Sequence, residues 1–313
     1  MVINKVEIAP GTSEVVKLLV GRLPSDTRLY LQVHVWRSRQ PGPVVGLVAG
    51  VHGDEINSVE ILRRLIASGM LRDLRRGSVI VIPVLNVYGF NSFSREMPDG
   101  KDVNRSFPGS LKGSLASRVA AMFTRHILPL LDFGVDFHTG GNSNYNFPQI
   151  RFSKDHVPSL ELARQFAAPY LIANKPLARS LRKTALKAGK PVIVFEGGEN
   201  LRYDGLSIQV ALTGIQRLLH AHDMLAEAPP AATEPIHLAN SHWVRASRPG
   251  MFRWFKSSGQ PVAKGEPLGV ICDPYGTNEW PVLASHTGHL IGHNNATIVN
   301  IGEALFHIGF SNQ

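Results

Sequence analysis

The sequence predicts an α/β fold: a mixed, mostly parallel sheet flanked by helices, followed by a small all-β region. Two observations predict it. Through residues 1–225, short continuous apolar runs alternate with segments of helical periodicity, as in strands buried on both faces and joined by crossover helices. After residues 226–235, rich in Pro and Ala without an apolar period, the texture changes to short β-like runs separated by glycine turns. A catalytic domain over 1–225, a linker over 226–235 and a small β domain over 236–313 are therefore expected. A chain of 313 residues is long enough for this division.

The elements follow in order. Alternation over 29–36 reads as a strand paired with the one before Gly21, an antiparallel edge. The run 43–49 is a buried strand that stops at Gly50-Val51-His52-Gly53, and apolar side chains at helical spacing follow over 56–66. The pattern then repeats, with strands over 79–85, 133–137 and 192–195 and helices over 115–128, 160–167 and 206–225. Short β runs at 243–246, 250–252, 269–272, 288–291 and 304–309 make up the last region.

Lys and Arg outnumber Asp and Glu by 33 to 24, a balance that attracts anions in general. The basic residues are scattered without an aromatic-interleaved stripe, so a small carboxylate is a better partner than nucleic acid. Cys272 is the only cysteine, which excludes an intrachain disulfide and a thiolate cage, and any metal must use His and carboxylate ligands. The first residues lack a basic segment followed by a long apolar one, and no apolar run is long enough to span a bilayer. No membrane partner and a cytoplasmic location are expected, and a homo-oligomer is compatible with the sequence.

In open α/β sheets, ligands bind beyond the carboxyl ends of the strands. His52, His138 and Glu196 fall at such ends, and Glu55 follows His52 by three residues at the start of a helix. A lone His-x-x-Glu is more often surface chemistry, and a strand-end histidine is often only hydrogen-bonded. A carboxylate following an apolar strand, by contrast, is costly to bury without a role. Two imidazoles and a carboxylate leave a fourth tetrahedral position open, the arrangement of a catalytic zinc. One Zn2+ per chain on His52, Glu55 and His138 is expected, with Glu196 as the base and Glu199 as its rival. Asp136, two residues before His138, points to the same side of its strand and could orient an imidazole.

Four segments carry a resemblance: Gly50-Val51-His52-Gly53-Asp54-Glu55, Asp102-Val103-Asn104-Arg105-Ser106-Phe107-Pro108-Gly109, Asp136-Phe137-His138-Thr139 and Phe195-Glu196-Gly197-Gly198. In this order they resemble the succinylglutamate desuccinylase and aspartoacylase family, relatives of the zinc carboxypeptidases. The glycine-rich region from Trp243 is similar to that family's C-terminal domain. The resemblance implies a carboxypeptidase-like fold, zinc on His52, Glu55 and His138, and Glu196 as general base. It further implies that Asn104 and Arg105 grip a substrate carboxylate and that Arg95 polarises the scissile carbonyl.

Arg182 lies in the helix-like stretch 180–188 and reads either as a second anion contact or as part of a solvated face with Lys183 and Lys187. The polar stretch 139–146, which includes Asn142, reads as a flexible loop lining the acyl or side-chain pocket. Residues 259–266 resemble a lipoyl or biotinyl carrier segment, but no Lys sits at a recognisable hairpin tip, so this region is expected to shape the site entrance. The expected reaction is hydrolysis of the amide bond of a small, carboxylate-bearing N-acyl amino acid. A peptide-cleaving metallocarboxypeptidase and a non-catalytic anion-binding relative are the alternatives.

Overall fold

The computed structural model describes residues 1–311. A short hairpin, β1 (Val2–Ile3) and β2 (Val6–Glu7), precedes the long antiparallel pair β3 (Ser13–Arg22) and β4 (Arg28–Arg37). Next come β5 (Val44–Val48), α1 (Ile56–Ser68), β6 (Ser78–Ile82), α2 (Val87–Asn91), α3 (Leu115–His126) and β7 (Phe133–Gly140). The strands β8 (Asn144–Ser153), β9 (Tyr170–Asn174) and β10 (Val192–Glu199) alternate with α4 (Val157–Phe166) and α5 (Leu181–Lys187), and α6 (Gly205–Ala221) follows. The remainder is all β: β11 (Ile236–Leu238), β12 (Asn240–Arg245), β13 (Gly250–Trp254), β14 (Pro261–Val262), β15 (Pro267–Cys272), β16 (Glu279–Leu283), β17 (Gly288–Asn294), β18 (Ile298–Val299) and β19 (Ala304–Phe310).

One large mixed sheet runs in the order β12-β19-β17-β8-β10-β7-β5-β6-β4-β3. Its centre, β10-β7-β5-β6, is parallel. Antiparallel strands extend it on both sides: β4 and β3 beyond β6, and β8 beyond β10. The C-terminal strand β17 pairs with β8, so the sheet continues into the last region. A separate four-stranded sheet, β16-β15-β13-β18, packs within that region.

Strand alternation sorts the side chains into two layers. Phe133, Val135 and Phe137 of β7 and Ile193 and Phe195 of β10 join α1, α4 and α6 in one core. The opposite face packs on α3 and α5 through Val119, Phe123, Leu181 and Ala185. Asp136 and His138 on β7 and Glu196 on β10 have the parity of this second face, so the sheet itself aims them together. Local signals start most helices: the side chains of Ser114, Ser180 and Asp204 cap α3, α5 and α6 by accepting from Ser117, Lys183 and Ser207 N–H. Among the described residues no helix is long and apolar enough to cross a membrane.

The polar stretch 139–146, expected as a flexible loop, is mostly strand. Thr139 and Gly140 finish β7 and Asn144 opens β8, leaving a turn at Gly141, Asn142 and Ser143 in which Asn142 and Ser143 have φ of 52° and 63°. Strand β8 escaped the sequence reading because Pro148 interrupts it, and proline is rare inside paired strands. The sheet absorbs Pro148 where the β8–β10 register shifts, between the pairs Glu196↔Gln149 and Gly198↔Asn146.

Phe166 is fully buried between α4 and α6 against Phe195, and a Cβ on Gly214 would meet its ring at 2.2 Å. Phe166→Ala is therefore expected to destabilise the protein by about 3–5 kcal/mol in urea unfolding, through the lost burial of the ring and the cavity it leaves.

Candidate active site

The loop Gly50–Glu55 is folded by backbone contacts before any side chain acts. Gly50 adopts φ of 58°, and its carbonyl accepts from Asn86 N–H at 2.7 Å. A Cβ on Gly53 would lie 1.9 Å from the Gly89 carbonyl carbon, so only glycine lets the loop lie against α2. Asp54 ties the loop to the far end of β10: its Oδ2 accepts from Asn200 Nδ2 at 3.0 Å and its carbonyl accepts from Leu201 N–H. Glu55 then occupies the N-cap of α1 without capping it; its carboxylate points into the site instead.

There, Glu55 Oε1 lies 2.6 Å from His52 Nδ1 and Glu55 Oε2 lies 2.8 Å from His138 Nδ1. Thr139 N–H donates to Oε2 at 3.2 Å. The ligand atoms of His52, Glu55 and His138 fall within 4.8 Å of one another, the one such group of three found among the described residues. Behind them, His52 Nε2 faces Asp102 Oδ1 at 3.3 Å and His138 Nε2 faces Asp136 Oδ2 at 3.0 Å. Each imidazole thus stands between two carboxylates.

This arrangement fits a metal ion. Arg95 Nη1, which can only donate, is 3.2 Å from His52 Nδ1, which makes Nδ1 the lone-pair nitrogen and leaves the proton on Nε2 towards Asp102. Lone pairs of Nδ1 and Oε1 then face each other across 2.6 Å, a contact that calls for a cation. Burial works against charge on His52 and His138, but the carboxylates of Glu55 with Asp102 and of Asp136 with Glu55 outweigh it and raise both proton affinities. Burial likewise opposes charge on Glu55, and the two imidazoles reverse it, holding its carboxyl well below the usual range. A cation is electrostatically welcome here.

The site opens into a cleft of about 450 Å³. Glu196, opposite His138 in the β10–β7 register, lies in its wall. Glu196 Oε2 accepts from Asn146 Nδ2 at 2.9 Å, and Oε1 pairs with Arg151 Nη1 at 3.1 Å. Its rival Glu199 is engaged elsewhere: Oε2 accepts from Asn295 Nδ2 at 2.6 Å and Oε1 lies 3.7 Å from Arg202 Nε. Arg95 bridges the ligand cluster and Asp102, to whose Oδ2 its Nη2 donates at 2.9 Å.

Asn104 and Arg105 both line the cleft. Asn104 Oδ1 accepts from Leu181 N–H at 2.9 Å, which fixes the side chain against α5, while Arg105 is exposed and donates through Nη1 to the Asn104 carbonyl. Arg182 departs from the solvated-face reading. It is only 7% exposed, donates from Nη2 to Asn174 Oδ1 at 2.7 Å, and lines the cleft with a buried Nη1 that has no hydrogen-bond partner. Burial, and then the charge of Arg151, lower its pKa to about 10.

Asp102 and Arg151 were not assigned roles from sequence, nor individually were Ser241, Trp243 and His307, which bring the C-terminal region into the cleft wall, whereas Asn146 was expected only as part of the pocket-lining stretch 139–146. Trp243 and His307 are cross-strand partners on β12 and β19, their rings stacked 4.2 Å apart. The one sequence signal for Arg151 is its alternation with Ile150 and Phe152, which Pro148 obscures.

The sequence pattern of the succinylglutamate desuccinylase/aspartoacylase catalytic domain matches residues 41–222. The chain belongs to this family. A relative in it, the N-α-acetyl-L-2,4-diaminobutyric acid deacetylase of Halomonas elongata, is 30% identical over 284 residues, covering 85% of this chain and 82% of its own. Among solved structures, the product-bound ectoine utilization protein EutE (DoeB) of Ruegeria pomeroyi is 25% identical with a TM-score of 0.84, over 96% of this chain and 95% of that one. A succinylglutamate desuccinylase/aspartoacylase of Rhodobacter sphaeroides is 24% identical with a TM-score of 0.85, over 96% of each chain. The family's carboxypeptidase-like fold is therefore shared along nearly the whole chain.

The loop geometry yields a direct prediction. Gly53→Ala forces the loop away from Gly89 and should reduce bound metal to below about a tenth of an equivalent with the helical content retained. Elemental analysis with far-UV circular dichroism checks it, and unchanged metal content would mean that the close approach of Gly53 does not hold the ligands.

Proposed function

We propose that this family member is a zinc-dependent hydrolase that cleaves the amide bond of a small N-acyl amino acid. The observation that carries this reading is the buried convergence of His52 Nδ1, Glu55 and His138 Nδ1 beside a further carboxylate, Glu196, in one cleft. The name of the Halomonas relative, a deacetylase of an N-α-acetylated amino acid, supports the reaction class. Two nitrogens and a carboxylate suit zinc, and Asp102 and Asp136 behind the imidazoles are the partners that orient such ligands. When bound, zinc supplies a Lewis acid and a water whose pKa is brought to about 7.

The chain's own residues do the remaining work. Glu196 takes a proton from the attacking water as its oxygen bonds to the acyl carbon. It then returns that proton to the amide nitrogen as the C–N bond breaks, giving a carboxylic acid and an amine, and the acid's proton passes to the amine to leave a carboxylate and an ammonium. Arg95, anchored by Asp102, meets the charge developing on the acyl oxygen. Asn104 and Arg105 hold the free carboxylate, the exposed Arg105 fork closing on it as substrate enters. Arg182 offers its unpartnered Nη1 as a second anion contact. Residues 236–313, read as a distinct region beyond the 226–235 linker, narrow the cleft with Ser241, Trp243 and His307, and a cleft of about 450 Å³ suits a small substrate.

Glu196→Gln should lower turnover at least about a thousandfold with one equivalent of zinc still bound, as read by amine release and metal analysis; near-normal turnover would remove Glu196 from its role. A screen of N-acetyl, N-formyl and N-succinyl amino acids should show hydrolysis that is lost when the carboxylate is blocked as an amide. Efficient release of residues from long peptides, or a purified protein with no affinity for zinc, would overturn the deacylase reading.

A further inference from the structure

Both carboxylate oxygens of Glu196 are held by strand β8, and the reaction as described uses neither of the two groups that hold them. Asn146 Nδ2 donates to Oε2 at 2.9 Å and Arg151 Nη1 pairs with Oε1 at 3.1 Å. The register explains how two residues five apart reach one side chain. Arg151 pairs with Val194, two positions before Glu196 on the same face of β10, while Asn146 lies beyond the irregularity that Pro148 creates. The long guanidinium spans one rung of the sheet, and the shorter amide approaches from the other side.

We propose that Arg151 is a positioning residue for Glu196, resting on the reading of Glu196 as the base: it fixes the plane of the carboxylate so that its remaining lone pairs face the attacking water. The charge layout keeps Arg151 on this task. Its neighbour Arg182 is a cation and repels it, and is itself committed to Asn174. His307 is kept neutral, because burial, then the charges of Arg151 and His242, push its pKa down to about 3. Glu196 is the carboxylate paired with Arg151, whose side chain is 25% exposed at the cleft wall.

What the pairing supplies is orientation: misplacing a reacting group by about 1 Å costs on the order of a hundredfold in rate. A base swinging freely in an open cleft would incur such a loss in most of its conformers. A direct contact between Arg151 and a substrate anion is the competing role, and it has a different kinetic signature.

The experiment compares Arg151→Gln and Arg151→Lys with the wild type, using the best substrate found among N-acetyl, N-formyl and N-succinyl amino acids. Arg151→Gln should lower kcat about 30- to 100-fold with KM changed less than about threefold, and with zinc content and Tm preserved. Arg151→Lys, which keeps the charge within reach of Oε1, should recover kcat to within about fivefold of the wild type. Unchanged kcat, or a loss carried by KM alone, overturns the proposal. Crystal structures of the wild type and Arg151→Gln give a readout that needs no turnover: the Glu196 carboxylate should leave Asn146 Nδ2 in the variant, and its retention there overturns the proposal. If the wild type cleaves no member of the panel, the deacylase reading fails and the two structures alone decide the role of Arg151.

Discussion

The rest of the site depends on one buried carboxylate. Glu55 is 2% exposed, and an ionised carboxylate out of water is tolerated only where opposite charge and hydrogen bonds replace the lost solvation. Thr139 N–H donates to it, and the two imidazoles, each backed in turn by its own carboxylate, Asp102 or Asp136, hold its carboxyl below the usual range. The cluster could hold a metal ion, and any metal that binds must displace whatever proton sits among the Nδ1 and Oε atoms, so its affinity falls as the medium becomes acidic. Arg95 Nη1, 3.7 Å from Glu55 Oε1, adds a further opposite charge beside that carboxylate.

Such a cluster needs a rigid frame, and the parallel centre of the sheet provides it. His138 and Glu196 are direct neighbours in the β7–β10 register, so their separation is set by interstrand spacing and not by loop conformation. The third member of the cluster comes from an element that gives up something for the site. Glu55 stands where a Ser or Asp would cap α1, yet makes no capping bond, and the omitted cap costs on the order of 1 kcal/mol. Gly53, Asp54 and Ser58, which bond or pack the surrounding loop, hold that helix start in place of the cap.

Legibility in the sequence followed this division. His52, His138 and Glu196 could be found because each ends an apolar run whose burial is dictated by hydrophobicity alone, and Glu55 because its spacing from His52 carries chemistry. Arg151 and Asn146 lie on a strand whose polar face turns into a cleft and whose interior holds Pro148, so neither apolar alternation nor propensity announced it. Asp102 was visible within a motif, but its partners in the site, His52 and Arg95, come from other segments of the chain. Arg182 carried two readings because helical periodicity cannot tell a polar residue facing solvent from one facing a cleft. Only the position of α5 beside β9 and β10 decides that.

The C-terminal region belongs to the same argument. Strand β17 pairs with β8 at Gly292↔Asn146, and a Cβ on Gly292 would lie 2.9 Å from the Tyr145 carbonyl oxygen. Glycine there allows the two strands to close at the point where Asn146 reaches Glu196. The contact is braced by His293, whose ring packs between Tyr145 and Trp254 and whose Nδ1 is 2.7 Å from Ser258 Oγ. On the other side Asn295 joins Trp254 Nε1 to Glu199 Oε2. Because β8 also carries Arg151, both groups that hold Glu196 stand on a strand paired with β10 on one side and, on the other, with β17 at Asn146 and with β9 at Arg151. The C-terminal region therefore bears on the site through the sheet as well as through the cleft wall, and a change at its surface of contact with β8 would reach the Glu196 carboxylate before it reached His52, Glu55 and His138.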